Sequence, residues 1–591
     1  MLDPQTSEIG VFLNIGAIAP EVTADRDGII GLLSQIGRDD ALLACTRLNA
    51  LINGFGPQLT SFDRQARAIE WLCTPHDVTA INRFAKAHGG TSRTSVFFRG
   101  QILELARWSA QHCTAQPRNG ESFSDPAIRA AFFRAALMAS DLWGQRLFAG
   151  RLSNDVAGDP TQQLRRALGA FRKNLEEAVE APHAGIVLGR SRLLFARYLR
   201  EHLPDFDARF LSAAGLSFDA FCACSSALLM YTFAEPPEGH FFRTDYVAEK
   251  TAFQPQFKAF MVLQGQSPET FAADLAARPD DGAFLTLRNR PILSFSDGRS
   301  AILDPVYFSE NLVSQPLFRI LQGLKRGEAN RVFSAFGDAF EHYATDTLEA
   351  MYPTGRGLLV KRLESQVAGQ NAAGQEFKAD AILADIDSAI VFEMKAAWIR
   401  EDTVLSDDPE RFLSELRDKY GQSTKPGERD KGAAQLARIV GALARREWSG
   451  DGGIYRNIKA IYPVLTVHDE RMAASGLGKF LDAEFQRLLG PVPSGIYVHP
   501  LIIMTIADLE NLTSSVENFS LREFLAAYSS AHPDRMRSVH NFMATSDFTA
   551  KIIPSKRLIA ASEETMEMLR RELFPKNTAS PIATMEAMET P

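Results

Sequence analysis

"AILADIDSAIVFEMKAAW", residues 381 to 398, sets the terms for the whole chain. Ala389-Ile390-Val391-Phe392 is a continuous apolar run, the pattern of a strand covered on both faces. It then meets Glu393-Met394-Lys395 before turning apolar again at Ala396-Ala397-Trp398. Residues two apart on a strand point to the same face, so Glu393 and Lys395 share one. A buried charge without a partner is costly enough to demand compensation.

Working outward, Asp385-Ile386-Asp387-Ser388 carries the residues of a turn, and two further strand-like runs precede it. These are "EFKADAILA" (376 to 384) and "LLVKRLESQV" (358 to 367), joined by the Gly- and Asn-containing "AGQNAAGQ". The spacing predicts a three-strand antiparallel meander. Before it, "ANRVFSAFGDAFEHYATDTLEAMY" reads as a helix. After it come a charged connection with a short helix (400 to 430) and a helix, "KGAAQLARIVGALARRE". A fourth apolar run (455 to 467), a further helix and a fifth run, "SGIYVHPLIIMTIADLENL" (494 to 512), complete the unit.

Glu-x-Lys occurs twice, as Glu376-Phe377-Lys378 and Glu393-Met394-Lys395, and context separates the copies. Only the second lies inside an apolar strand, with Asp380 thirteen residues before it on the preceding run. With the turn at 385 to 388, neighbouring strands about 4.8 Å apart bring Asp380 beside Glu393 and Lys395. Two converging carboxylates repel unless a divalent cation lies between them, and hard oxygen ligands suit Mg2+ or Mn2+. An adjacent lysine orients a water or stabilises charge building on a phosphate. Two acids, one metal and one lysine form a centre for phosphodiester hydrolysis, and the three side chains are expected around one cation-sized space.

In these residues and their order the chain resembles the PD-(D/E)XK nuclease superfamily, whose core runs helix, three antiparallel strands, helix, strand. The resemblance covers roughly residues 296 to 515. It implies a restriction-endonuclease-like α/β core, a mixed central sheet flanked by helices, with Asp380 as first metal-binding acid and Glu393 and Lys395 as the named pair. Ala379 stands where the superfamily's name has proline. Many members carry an acid on the first helix and a glutamine on the helix after the third strand; the matching positions are Glu341 and Gln435. Glu341 is also explained as an exposed glutamate on an amphipathic helix, and Asp385 and Asp387 as turn formers.

Opposite the apolar stripe of the Gln435 helix lie Lys431, Arg438 and Arg445. From 411 to 447 there are nine basic residues, Lys419 and Lys425 among them, against five acids, in a chain of net charge -8. Such a face is ordinarily solvated; flanking a metal centre, it is a candidate surface for backbone phosphates.

A chain of 591 residues with 45% hydrophobic content buries a large core, and its negative charge excludes binding nucleic acid by bulk charge. The five cysteines are too few and scattered for a disulfide framework; Cys222 and Cys224 read as part of a buried helix. There is no signal-peptide pattern at the start and no run of 18 apolar residues, so the expected location is the cytoplasm, without a membrane span.

The expected organisation is a mainly α-helical region (1 to 290) for recognition or assembly, the nuclease-like domain (291 to 515) and a helical extension with a disordered tail (516 to 591). In the helical region, Ser124-Asp125-Pro126 marks a helix start. The expected function is a divalent-metal-dependent nuclease, with DNA ahead of RNA as substrate and self-association or a protein partner through the helical region. By architecture it resembles prokaryotic anti-phage defence effectors. The alternative is an inactive nucleic-acid-binding or scaffold protein on the same fold.

Overall fold

The structure, a computed structural model, describes residues 11–53, 61–88, 90, 94–115, 122–148, 164, 168, 184–233, 241–243, 254–278, 284–352, 362–370, 376–404, 406, 408–422, 431–447 and 454–573. It is mainly helical, with two mixed sheets and a parallel strand pair. The expected helix start at Asp125-Pro126 is present: Asp125 accepts from the Ala127 amide at 2.8 Å, and the helix runs Pro126–Phe148.

In chain order, helix α1 (Ala184–Ser191) comes ahead of the sheet region. Helices α2 (Pro305–Leu321) and α3 (Arg326–Met351) precede strands β1 (Arg362–Gln370), β2 (Glu376–Ala384) and β3 (Ser388–Lys395). Helices α4 (Pro409–Tyr420) and α5 (Gly432–Ala444) lead to β4 (Ala460–Val467) and α6 (Leu477–Leu489). Short strands β5 (Tyr497–Val498) and β6 (Ile502–Thr505), then helices α7 (Ile506–Thr513) and α8 (Lys556–Leu573), follow.

β1, β2 and β3 form the antiparallel meander, and β4 joins β3 in parallel with Glu393 opposite Leu465 and Lys395 opposite Val467. β5 and β6 both pair in parallel with β4. Each parallel step is bridged by a helix, as the geometry of parallel pairing requires. Strand alternation divides the buried side chains between two cores. Ala381, Leu383, Ile390, Phe392 and Met394 join the core containing Phe336 and Phe340 of α3. Ile382 and Val391 join the one containing Leu436 of α5 and Leu481 of α6.

Gly432 opens α5 with a positive φ of 51°, where a Cβ would stand 2.3 Å from the Tyr420 carbonyl oxygen. Only glycine permits this approach of α5 to the end of α4.

Two apolar runs are divided more finely than their composition indicates. β3 stops at Lys395, short of the apolar Ala396-Ala397-Trp398, and side chains and strand-end groups capture residues 395 to 399. The Lys395 carbonyl accepts from the His468 amide (3.1 Å), the Ala397 carbonyl from Tyr420 (2.6 Å), and the Ile399 amide donates to Asp469 (2.9 Å). The fifth apolar run is two strands and a helix: Thr505 and Asp508 form a capping box that starts α7.

The buried cores run across residue 290. Ile186 to Phe260 side chains share the α3 core with the sheet and with Leu558 of α8. A separate core joins residues between Leu13 and Ala139 to Phe271, Leu293 and Tyr307. Asp297-Gly298, a turn pair between two alternating apolar runs, joins Ile292–Ser294 to Arg299–Ile302 as a hairpin within a four-stranded sheet apart from the meander.

Candidate active site

Asp380 and Glu393 lie one step beyond the last paired residues of the β2–β3 hairpin, Ala381 and Phe392, and so face each other across it. By alternation they are on the α5–α6 side of the sheet. Asp380 accepts from the Met394 amide at 2.7 Å, which ties the two strand ends together. Lys395 Nζ is ion-paired with Glu393 Oε1, with Glu393 fully buried and the lysine side chain 19% exposed. Glu393 Oε2 is buried without a hydrogen-bond partner. Asp380 also acts electrostatically on both Glu393 and Lys395.

Glu341, half-buried on α3, belongs to the same electrostatic unit. Burial, then Asp380, raises its pKa to about 7, while Lys395 pulls it down. Burial raises Glu393 to about 8 against the pull of Lys395, and Asp380 is raised by burial as well. For Lys395, burial works to lower the pKa, but Glu393 and Asp380 outweigh it and keep the ammonium charged. Three acids thus surround one lysine, an excess of buried negative charge that protons or a cation must relieve.

Opposite Asp380 on β1, the pairing skips Gln366, which has a positive φ of 52° while its neighbours Ser365 and Val367 pair with Ala381 and Ala379. A side chain in the left-handed region is strained and marks a local requirement of the fold. No sequence signal announces it.

Gln435 faces β2, donating to the Lys378 carbonyl at 3.3 Å. The basic residues are less uniform than their spacing predicts. Lys431 and Arg438 are half-buried on and beside α5. Lys419 is not a phosphate hand: it pairs with Glu415 at 2.6 Å and donates to the Trp398 carbonyl. Arg445 is held by Glu447 at 3.0 Å. Lys425 lies outside the described residues. Asp385 and Asp387 are turn residues as read, both paired with Arg522, at 3.4 and 3.2 Å. Cys222 and Cys224 are buried in a helix and their thiols are raised by burial, to about 12 each.

The donor set at this centre, three carboxylates with one orphaned oxygen, fits a hard divalent cation. The carboxylates do not form a closed ligand cage. Among the described residues, the acid and histidine set whose ligand atoms lie within 4.8 Å of one another is Glu201, His202 and His342, all exposed. Glu341, Asp380 and Glu393 stand farther apart, Asp380 drawn to a backbone amide and Glu393 to Lys395.

Sequence reasoning missed His468. It is 5% exposed, neither ring nitrogen has a partner, and its amide holds the carbonyl of Lys395. No protein family, curated protein or solved structure matches the chain.

Proposed function

We propose that the chain is a divalent-metal-dependent nuclease of PD-(D/E)XK type, hydrolysing phosphodiester bonds, with DNA ahead of RNA. The observation that carries this reading is the placement of Asp380 and Glu393 face to face on adjacent strands, with Lys395 on Glu393 and Glu341 coupled to both Asp380 and Lys395. Asp380, Glu393 and Glu341 are the residues that would hold Mg2+ or Mn2+. When bound, such an ion supplies Lewis-acid polarisation of a phosphoryl oxygen and a more acidic water.

The chain's own contribution is positioning and charge. Lys395 stays protonated and supplies N–H donors to the charge that grows on the phosphate. The Met394 amide fixes the orientation of Asp380. Gln435 ties α5 to β2, and Lys431 and Arg438, half-buried beside it, are candidates for contacts to backbone phosphates. The cytoplasm as its location and a role in anti-phage defence belong to this proposal; no described helix is long and apolar enough to cross a membrane by itself.

The test is cleavage of single- and double-stranded DNA and RNA with Mg2+, Mn2+ or chelator. Cleavage that needs metal and disappears in Asp380→Ala and Lys395→Ala, both remaining folded, supports the reading. Unchanged cleavage in both variants refutes it.

A further inference from the structure

Beyond the end of β3 lies a cavity of about 820 Å³, within the range of small-molecule sites. It opens between α2, residues 396 to 402 and the residues after β4. The strand end leads into it: Trp398 lines it three residues after Lys395, within about 10 Å along extended chain.

Two features define what would fill it. The first is an aromatic wall, with Phe318 5.3 Å and His468 4.6 Å from Trp398, ring centre to ring centre. The second is a set of buried polar atoms without partners. Asn311 and Gln315, 2% and 6% exposed, both donate their amide N–H to the Arg288 carbonyl, at 2.8 and 3.2 Å, and their own oxygens accept nothing. Both ring nitrogens of His468 are likewise unpartnered, and burial lowers its pKa to about 3, so the ring is neutral and offers one donor and one acceptor. Such atoms are rare in folded proteins and call for an explanation.

The lining cations are committed elsewhere. Arg471 is held by Asp469 (2.9 Å) and Glu401 (2.6 Å), Arg288 by Glu401 (3.3 Å), Lys419 by Glu415 (2.6 Å) and Arg400 by Glu415 (3.3 Å). The lining acids, Glu310, Glu401, Asp402, Asp469 and Glu470, outnumber these cations by one. A phosphate is disfavoured there. A flat ring carrying N–H donors is favoured, because it stacks on Trp398 and gives hydrogen bonds to the Asn311 and Gln315 oxygens.

We propose that this cavity receives an amino-bearing nucleobase (adenine, cytosine or guanine) unstacked from the strand whose phosphate lies at the carboxylate centre. The substrate is then single-stranded or locally opened nucleic acid. This rests on the nuclease reading above. Drawing a base out of a duplex costs unpairing and unstacking, which a single strand largely avoids.

The experiment is equilibrium dialysis of adenosine and of thymidine against the full chain, run beside the cleavage assay. Adenosine is expected to bind saturably to the wild type and equally to Lys395→Ala, with thymidine at least tenfold weaker. Trp398→Leu and Gln315→Leu each weaken adenosine at least tenfold, and two independent variants guard against a misfolded one. Cleavage should favour single strands and fall at least tenfold when the nucleotide beside the cut is abasic. No saturable adenosine binding, or binding unchanged in both variants, overturns the base site whether or not the protein cleaves. Adenosine binding without any metal-dependent cleavage overturns the nuclease reading, and with it the link to a substrate strand.

Discussion

Two buried charge clusters sit on either side of α3, and they are built differently. In one, Arg190 of α1 makes a bidentate pair with Glu510 of α7, with Nε 2.9 and 3.0 Å from the two carboxylate oxygens and Nη2 at 2.7 Å. Tyr343 of α3 donates to the same carboxylate, and Arg190 also pairs with Glu470. Both oxygens of Glu510 are satisfied. In the other, Glu341, Asp380 and Glu393 share one lysine, and Glu393 Oε2 has no hydrogen bond. The first cluster is complete and ties distant parts of the chain together. The second is incomplete, and incompleteness in a buried place is the physical mark of a site that awaits something.

Breaking the complete cluster should produce the largest loss of stability. Arg190→Met leaves Glu510 buried without its partner, and about 3–5 kcal/mol of unfolding free energy should vanish in a urea titration. The matching change in the incomplete cluster acts on chemistry instead. Lys395→Ala should lower the cleavage rate on the order of 10²–10³-fold, the scale for removing one preorganised donor, while the urea midpoint moves little.

Mn2+ at about a hundred times its dissociation constant should stabilise the wild type by about 2.7 kcal/mol, read as a rise in melting temperature, and should not stabilise Asp380→Asn comparably. The smallest effect concerns pH. Glu393, with a folded pKa near 8, and Glu341, near 7, hold protons more tightly in the folded chain than the ordinary glutamate value of 4.5 allows unfolded. Metal-free stability should therefore fall as pH rises from about 4.5 to 8. Glu393→Gln should be more stable than the wild type at pH 9, on the order of 1 kcal/mol, and a melting series with and without Mn2+ checks both.

The carboxylate–lysine cluster was legible because it is local. Asp380, Glu393 and Lys395 lie within sixteen residues, and strand periodicity with one turn is enough to bring them together. The helix that carries Glu341 and the hairpin around Gly298 were legible for the same reason. The Arg190–Glu510 pair was not, since 320 residues separate its members and no periodicity connects them. Lys419 looked like a surface cation because sequence shows spacing and not the carbonyl of Trp398 that captures it. The fifth apolar run was misread through composition: Pro500 and the Thr505–Asp508 cap divide it, and the apolar density hid both. His468 looked isolated because its meaning lies in the aromatic rings and the empty space around it, which no neighbour in sequence announces.

The central claim is that Glu341, Asp380 and Glu393 hold a divalent cation. Calorimetric titration of Mn2+ tests it most directly. The account predicts one saturable site in the wild type, retained in His342→Ala and lost in Glu393→Gln. Binding that survives Glu393→Gln and disappears in His342→Ala would assign the ion to the exposed Glu201, His202 and His342 cluster and contradict the account.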